Sequence, residues 1–198
     1  MKLNWAEKWA VNNPLRVMIQ SQIIRWMKRL EVLGPEAVVS EVGCGRGAGA
    51  DLLLKVFQPK TFYALDLDLT MIQKARKYLS QAQGSNICLC VGNVEHLPYG
   101  DGALDAVFSF GVLHHALDWR TGLAEIARVL KTRGVYFFEE LYPSLYQNFI
   151  TRRIFRHPEK DRFVSREFKE ALKAIKLEPL DCLEREMLGI LGVYIKKR

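Results

Sequence analysis

The run Glu41-Val42-Gly43-Cys44-Gly45-Arg46-Gly47-Ala48-Gly49 concentrates the chemistry of this chain. It follows the apolar residues Ala37-Val38-Val39-Ser40 and opens a segment, Ala48 to Phe57, with helical character. A strand, a glycine-rich turn and a helix N-terminus therefore stand in a row. Glycine allows a tight bend and lets a ligand approach the backbone with no Cβ in the way. Gly43, Gly45 and Ala48 also satisfy the dinucleotide pattern G-x-G-x-x-A. Glu41 separates the readings: a pyrophosphate at a helix N-terminus seeks N–H groups and no nearby anion. A carboxylate at the strand end suits a ligand group that is cationic.

Other polar residues fall at the ends of later apolar runs. Asp66 closes the run from Thr61, about 20 residues past the glycines, where an acid accepts hydrogen bonds from ribose hydroxyls. Asp68 follows and suits the cap of the next helix. Gly92-Asn93-Val94-Glu95 closes a third run and Ser109-Phe110-Gly111 a fourth. In open parallel sheets, ligands bind outside the carboxyl ends of the strands, near the point where strand order reverses. His114-His115 follows the fourth run. A histidine there has the proton affinity of a general base; equally, the pair could start a short helix with one ring packed and one solvated. Adjacent histidines splay apart and no third ligand is evident, so no metal site is expected.

These residues need a frame to hold them. Strands are expected at about 37–42, 61–66, 86–91, 104–109 and 135–139, with helices at 48–57, 70–81 and around Leu123, Ile126, Ala127 and Leu130. Such alternation predicts an α/β fold, a doubly wound Rossmann-like sheet with helices on both faces. Residues 1–33 read as a helical lid. Pro14 sits in its first turn behind Asn12 or Asn13, Ile19, Ile23, Trp26, Met27 and Leu30 face inward, and Gly34-Pro35 ends it. Residues 37–141 form the core, 142–166 a substrate-side insertion with a helix over 143–155, and 167–198 a helix capped by Ser165 and two strands, about 180–186 and 190–196. The last strand then runs antiparallel in a mostly parallel, seven-stranded sheet.

At 198 residues, 49% hydrophobic and 26% charged, the chain suits one globular domain. No apolar run is long enough to cross a bilayer. Its first residues lack the apolar core of a secretory signal, so a cytoplasmic protein is expected. Cys44, Cys88, Cys90 and Cys182 have no metal-binding spacing and read as buried, reduced thiols. The net charge is +7, with clusters at Arg152, Arg153, Arg156, Lys160, Arg162 and Arg166 and at Lys196-Lys197-Arg198. It raises nucleic acid or an anionic membrane as partners, the latter through a basic amphipathic helix over 143–156. A solvated basic face accounts for it equally.

The ordered set of motifs resembles the class I S-adenosylmethionine-dependent methyltransferases. It is most similar to their small-molecule group, the type 11 methyltransferase domains that include ubiquinone and menaquinone C-methyltransferase-like enzymes. The matching stretches are the Glu41 to Gly47 loop, Tyr63-Ala-Leu-Asp66-Leu-Asp68, and Gly92-Asn-Val-Glu-His-Leu-Pro-Tyr99. Leu104-Asp-Ala-Val-Phe-Ser109, Leu113-His-His115 and Glu125-Ile-Ala-Arg-Val-Leu-Lys131 complete the set. The resemblance implies S-adenosylmethionine as cofactor; it carries a sulfonium and an α-ammonium and no phosphate, which agrees with Glu41. It further implies Glu41, Gly43, Cys44 and Gly45 around the methionine portion, Asp66 at the ribose, and Leu67, Asn93 and Val94 at the adenine. Ser109 and Phe110 would stand beside the sulfonium. The family has Asp in place of Asn93, and an amide oxygen still accepts a hydrogen bond. Lys131-Thr-Arg-Gly134 replaces the usual Lys-Pro-Gly-Gly turn.

The acceptor is expected outside this shared core. Trp5, Trp9, Tyr142, Tyr146, Phe149 and the 155–166 loop suggest a small apolar or aromatic molecule. A nucleic-acid methyltransferase remains an alternative, without its Asp/Asn-Pro-Pro-Tyr/Phe or Pro-Cys motif. So does a non-catalytic cofactor-binding or regulatory domain on the same fold, and last an NAD-dependent oxidoreductase.

Overall fold

The computed structural model describes residues 13–31, 33–80, 86–146 and 162–198. Helix α1 spans Pro14–Leu30, and the glycine loop joins β1 (Val38–Val42) to α2 (Ala48–Phe57). Next come β2 (Thr61–Asp66), α3 (Leu69–Leu79), β3 (Asn86–Val91) and β4 (Leu104–Phe110). A 3₁₀ turn over Leu113–His115 leads to α4 (Trp119–Val129) and β5 (Leu130–Leu141). After a short helical turn α5 (Pro143–Tyr146) come α6 (Ser165–Ala174), β6 (Leu177–Arg185) and β7 (Gly189–Lys196).

Among the described residues these strands form one seven-stranded sheet in the order β3-β2-β1-β4-β5-β7-β6. β1 to β5 are parallel, and β7 runs antiparallel between β5 and β6. The chain moves outward from β1 through β2 to β3, then returns to β4 on the other side of β1. The carboxyl ends of β1 and β4 thus flank the reversal, where a crevice must open.

Two apolar cores clamp the sheet. α1, α2 and α3 cover one face through Ile24, Met27, Leu53, Phe57, Ile72 and Ala75. Phe108 and Phe137 stack there at 4.4 Å, with the Phe57 edge against both. α4 and α6 cover the other through Trp119, Leu123, Ile126, Phe168 and Leu172. Because both faces are covered, the central strands read as continuous apolar runs, which is why they were visible in the sequence.

Several boundaries differ from the sequence reading. Asn13 caps α1, accepting from the Arg16 N–H at 2.9 Å with Pro14 in the first turn. The helix ends at Leu30, before Gly34. Its buried line is Gln20, Ile24 and Met27; Ile23, Trp26 and Leu30 are half-buried, and Ile19 is exposed. The periodicity was real, but Gln20 takes an inward position that hydrophobicity alone could not assign. β5 begins five residues before Val135, so Lys131-Thr132-Arg133-Gly134 lies within it. The register shift against β4 and the left-handed Arg133 (φ 67°) absorb the irregularity there. Ser165 is the first residue of α6 rather than its cap, since Val164 holds the extended cap position. Of the four thiols, all free, only Cys44 is buried; Cys88 is exposed and Cys90 and Cys182 are half-buried. Trp5, Trp9, Asn12, Phe149, Arg152, Arg153, Arg156, Lys160 and the helix expected beyond Tyr146 lie outside the described residues.

Candidate functional site

The crevice holds a cavity of about 210 Å³. Its floor is built from the strand ends. Gly43 and Cys44 both donate their N–H groups to the Leu65 carbonyl, at 2.7 and 3.0 Å, which pins the glycine loop across β2. Gly43 has φ 74°, and a Cβ there would lie 2.5 Å from Val112 Cγ2, so the loop can pass the β4 end only as glycine. Gly45, at φ 54°, has nothing within 4 Å of a would-be Cβ and leaves bare backbone on the cavity wall.

Asp66 organises that loop as well as facing the cavity. Its Oδ2 accepts from Gly45 N–H at 2.9 Å and its Oδ1 from Asp68 N–H at 2.8 Å. Asp68 caps α3 through Thr70 N–H at 3.0 Å, as its position suggested. Glu41 lies deeper, with 2% of its surface exposed. Its Oε2 is buried without a hydrogen-bond partner. Burial, reinforced by the negative charge of Asp66, pushes the Glu41 carboxyl up to about 8. A carboxyl held this way gains from a cationic donor and from little else. Burial, with Glu41 and Asp66 nearby, also pushes the Cys44 thiol up, so it stays a neutral wall.

The remaining expected residues divide. Leu67 stands half-exposed on the cavity lip, Val94 is buried in its wall, and Phe110 and Asn93 line it. The Asn93 Oδ1 accepts from Glu95 N–H at 3.1 Å, which occupies one of its two lone-pair positions. Ser109 is not at the cavity. Successive strand residues point to opposite faces, and Ser109 is turned toward the face covered by α4 and α6, where its hydroxyl meets Tyr136 Oη at 2.8 Å.

The histidines are also separated. His114 is 3% exposed, lies outside the cavity lining, and its Nδ1 is 2.8 Å from Glu140 Oε2. His115 lines the cavity, its ring 4.3 Å from that of His114. Glu140, wholly buried, accepts from the N–H groups of Val112 and Leu113 at 3.1 and 2.9 Å. It therefore fixes the 3₁₀ turn that presents His115, while Arg162 donates to the His114 carbonyl.

Four contributors were missed. Glu140 is one; its signal was a second acid at the end of the apolar run Val135-Tyr-Phe-Phe138. Gly49 is another: a Cβ there would lie 2.3 Å from Glu41 Oε1 and 2.8 Å from Gln20 Nε2, so glycine makes the space the carboxylate occupies. Arg16 and Gln20 of α1 complete the cavity wall, and Arg16 pairs with Glu139 at the end of β5. Nothing local in the sequence ties α1 to the strand ends. No group of His, Cys, Asp and Glu among the described residues is arranged to hold a metal ion.

Residues 40–138 match the family described as a methyltransferase domain. The phthiotriol/phenolphthiotriol dimycocerosates methyltransferase of Mycobacterium tuberculosis (strain ATCC 25618 / H37Rv) is 31% identical over 106 residues, 54% of this chain and 38% of that protein. The fatty-acid O-methyltransferase of Mycolicibacterium smegmatis is 33% identical over 105 residues, 53% of this chain and 37% of that one. The chain thus spans under two-fifths of the length of these curated relatives. Among solved structures, a geranyl diphosphate C-methyltransferase from Streptomyces coelicolor A3(2), in complex with Mg²⁺, geranyl-S-thiolodiphosphate and S-adenosyl-L-homocysteine, has a TM-score of 0.76. The likeness covers 94% of this chain and 84% of that one at 15% identity, and it establishes the shared fold.

Proposed function

The chain belongs to the class I S-adenosylmethionine-dependent methyltransferases, and from that premise we propose that it transfers a methyl group to a small apolar acceptor. The observation that carries the reading is Glu41: a buried carboxyl with an unpartnered oxygen, set behind a glycine loop at the sheet's reversal. That carboxyl suits the α-ammonium of S-adenosylmethionine, which stabilises its ionised form, whereas a dinucleotide's phosphates would offer that form no counter-charge. Gly43 and Gly45 offer backbone to the methionine portion, Asp66 accepts from the ribose hydroxyls, and Leu67 and Val94 flank the adenine beside Asn93. When bound, S-adenosylmethionine supplies an electrophilic methyl carbon, which an acceptor nucleophile takes by in-line displacement.

The chain's own contribution is placement and exclusion of water. Phe110, Val112, Ala116 and Leu117 make the wall beside His115 apolar, which suits an acceptor with little charge and keeps the reacting atoms dry. His115, on the cavity, takes the role of base where the acceptor must lose a proton. His114 and Glu140 hold its turn in place. One relative is named for a fatty-acid acceptor and another for phthiotriol and phenolphthiotriol dimycocerosates, and these names support a lipophilic substrate.

Calorimetric titration with S-adenosylmethionine, S-adenosylhomocysteine and NAD tests the cofactor. Micromolar binding of the adenosyl ligands alone is expected, and tight NAD binding would overturn the reading. A panel of fatty acids, phenols and isoprenoid quinols then tests the acceptor. Cofactor binding with no turnover on the panel would favour a regulatory domain, and turnover on nucleic acid would replace the small-molecule assignment.

A further inference from the structure

The helix that supplies Gln20 to the cavity is apolar on its outer side as well. At 3.6 residues per turn, Leu15, Met18, Ile19, Arg25, Trp26 and Arg29 fall on the side of α1 away from Gln20, Ile24 and Met27. Leu15 is 60% exposed, Met18 52% and Ile19 43%. Farther along, Trp26, Arg25 and Arg29 border an open groove against Leu183 of β6 and Leu191 of β7. Contiguous exposed apolar side chains rimmed by polar ones mark an interaction surface.

The charge on this helix is one-sided. Pro14–Leu30 contains Arg16, Arg25, Lys28 and Arg29 and no acid. Arg16 is paired with Glu139, and Lys28 stands over the Phe57 ring at 4.9 Å. Arg25 and Arg29 are exposed and make no ion pair among the described residues.

We propose that this face docks on an anionic lipid bilayer, with α1 lying in the headgroup plane. A second copy of the chain would offer the same face, and Arg25 and Arg29 would find no counter-charge on it. A nucleic-acid backbone supplies the charge but nothing to receive Leu15, Met18 and Ile19. An anionic leaflet supplies both, acyl chains under the aliphatic half of the helix and phosphates around the arginine half, with Trp26 at the boundary between them. Because Arg16 and Gln20 line the cavity from the inner side of the same helix, docking brings one wall of the cavity to the membrane, where a lipophilic acceptor would be found. That last step rests on the proposed function; the docking surface does not.

Co-sedimentation of the full chain with vesicles tests it without cofactor or acceptor, so its result is separate from that of the methyl-transfer assay. The probes are vesicles of phosphatidylcholine alone and of phosphatidylcholine with phosphatidylglycerol. The protein is expected on the second kind, with binding that weakens as salt is raised. The double variant Arg25→Gln/Arg29→Gln should lower partitioning roughly thirtyfold, at about 1 kcal/mol for each basic side chain near an anionic surface. Leu15→Gln/Met18→Gln should lower it at least roughly tenfold through lost apolar burial. All four positions are on the surface, and unchanged circular dichroism and melting checks the fold. Equal binding to both vesicle types, no binding, or binding that neither variant alters would overturn the proposal. So would a dimer that forms with rising concentration and is lost with Leu15 and Met18.

Discussion

Replacing Glu41 by Gln separates the charge of that side chain from its shape. In the unliganded protein the carboxyl lies near 8, against an ordinary 4.5, because it is buried beside Asp66. The fold therefore favours the neutral acid, while the unfolded chain ionises above 4.5. The sign follows: the contribution of this group to stability falls as pH rises from 4.5 toward 8, and levels off beyond. At pH 7 the penalty is the 2.5 units between 4.5 and 7, a ceiling of about 3.5 kcal/mol at about 1.4 kcal/mol per unit. Glu41→Gln removes it. The variant should melt several degrees higher than the parent at pH 7, where each kcal/mol is worth about 2–4 °C in a chain of this size. The difference should shrink to about a fifth of that at pH 5, about 0.7 kcal/mol, and vanish below about pH 4.

Ligand binding reads the same group in the opposite direction. At pH 7 about nine in ten Glu41 side chains are protonated, whereas an α-amino group, with an ordinary pKa near 7.7–8.0, is mostly charged. Forming the pair releases about 0.8 proton there, and at pH 9 the balance inverts to an uptake of similar size. Calorimetry in two buffers of different ionisation enthalpy measures both. A charge-assisted contact worth up to about 3 kcal/mol, less about 1.4 to ionise the acid at pH 7, leaves an affinity loss of about fifteenfold for the Gln variant. Its proton release should disappear. Proton exchange absent from the parent at pH 7, or retained in the variant, would refute the assignment of Glu41 to the ammonium.

Gly49→Ala, normally favourable inside a helix by about 1 kcal/mol, should here destabilise and weaken S-adenosylmethionine binding at least about tenfold, since the new Cβ meets the Glu41 carboxylate. Thermal melting and calorimetry check it, and a stabler variant with full affinity would count against the packing argument. Asp66→Asn keeps the shape but turns an NH₂ toward Gly45 or Asp68, so binding should weaken by about 1–3 kcal/mol; an unchanged dissociation constant would mean the ribose lies elsewhere. For the histidines, His115→Gln should lower kcat about a hundredfold or more on a proton-losing acceptor while melting stays the same. His114→Gln should lower the melting temperature, because the buried Glu140 loses a partner.

What the sequence revealed was what local pattern can encode. The apolar runs of β1, β2 and β4 stood out because sheet faces covered on both sides demand them. Glu41, Gly45 and Asp66 stood out because they fall at strand ends beside the reversal, and all three line the cavity that opens there. The turn after β4 was harder. His114 and His115 are equivalent in sequence, and only the three-dimensional position of Glu140, some 26 residues away, decides which ring packs and which faces the cavity. Ser109 was misplaced for the same kind of reason. Its neighbour Phe110 has the opposite face of the pleat, and a motif match spanning both residues carries no parity. Gln20 was invisible because a polar residue on an amphipathic helix is normally solvated. Its burial depends on the space Gly49 leaves, which no spacing within α1 records.

The clasp between Arg16 and Glu139 is the least predictable contact from sequence, and its position gives it a consequence. The buried anchors of α1, Ile24 and Met27, lie in its C-terminal half. Its first turns rest on Gln20 and on this ion pair, whose side chains are 22% and 14% exposed. A partly buried pair of this kind contributes on the order of 1 kcal/mol. Glu139 also neighbours Glu140, which holds the turn of His115, so the clasp ties the start of α1 to the strand end that organises the His115 side of the cavity. Arg16→Gln should therefore speed amide hydrogen exchange about fivefold in the first turns of α1, leaving the sheet unchanged. It should also weaken S-adenosylmethionine binding severalfold, since Arg16 and Gln20 wall the cavity together. Exchange that accelerates equally through Ile24 and Met27 would show that the helix opens as one unit, and the local clasp would then be the wrong description.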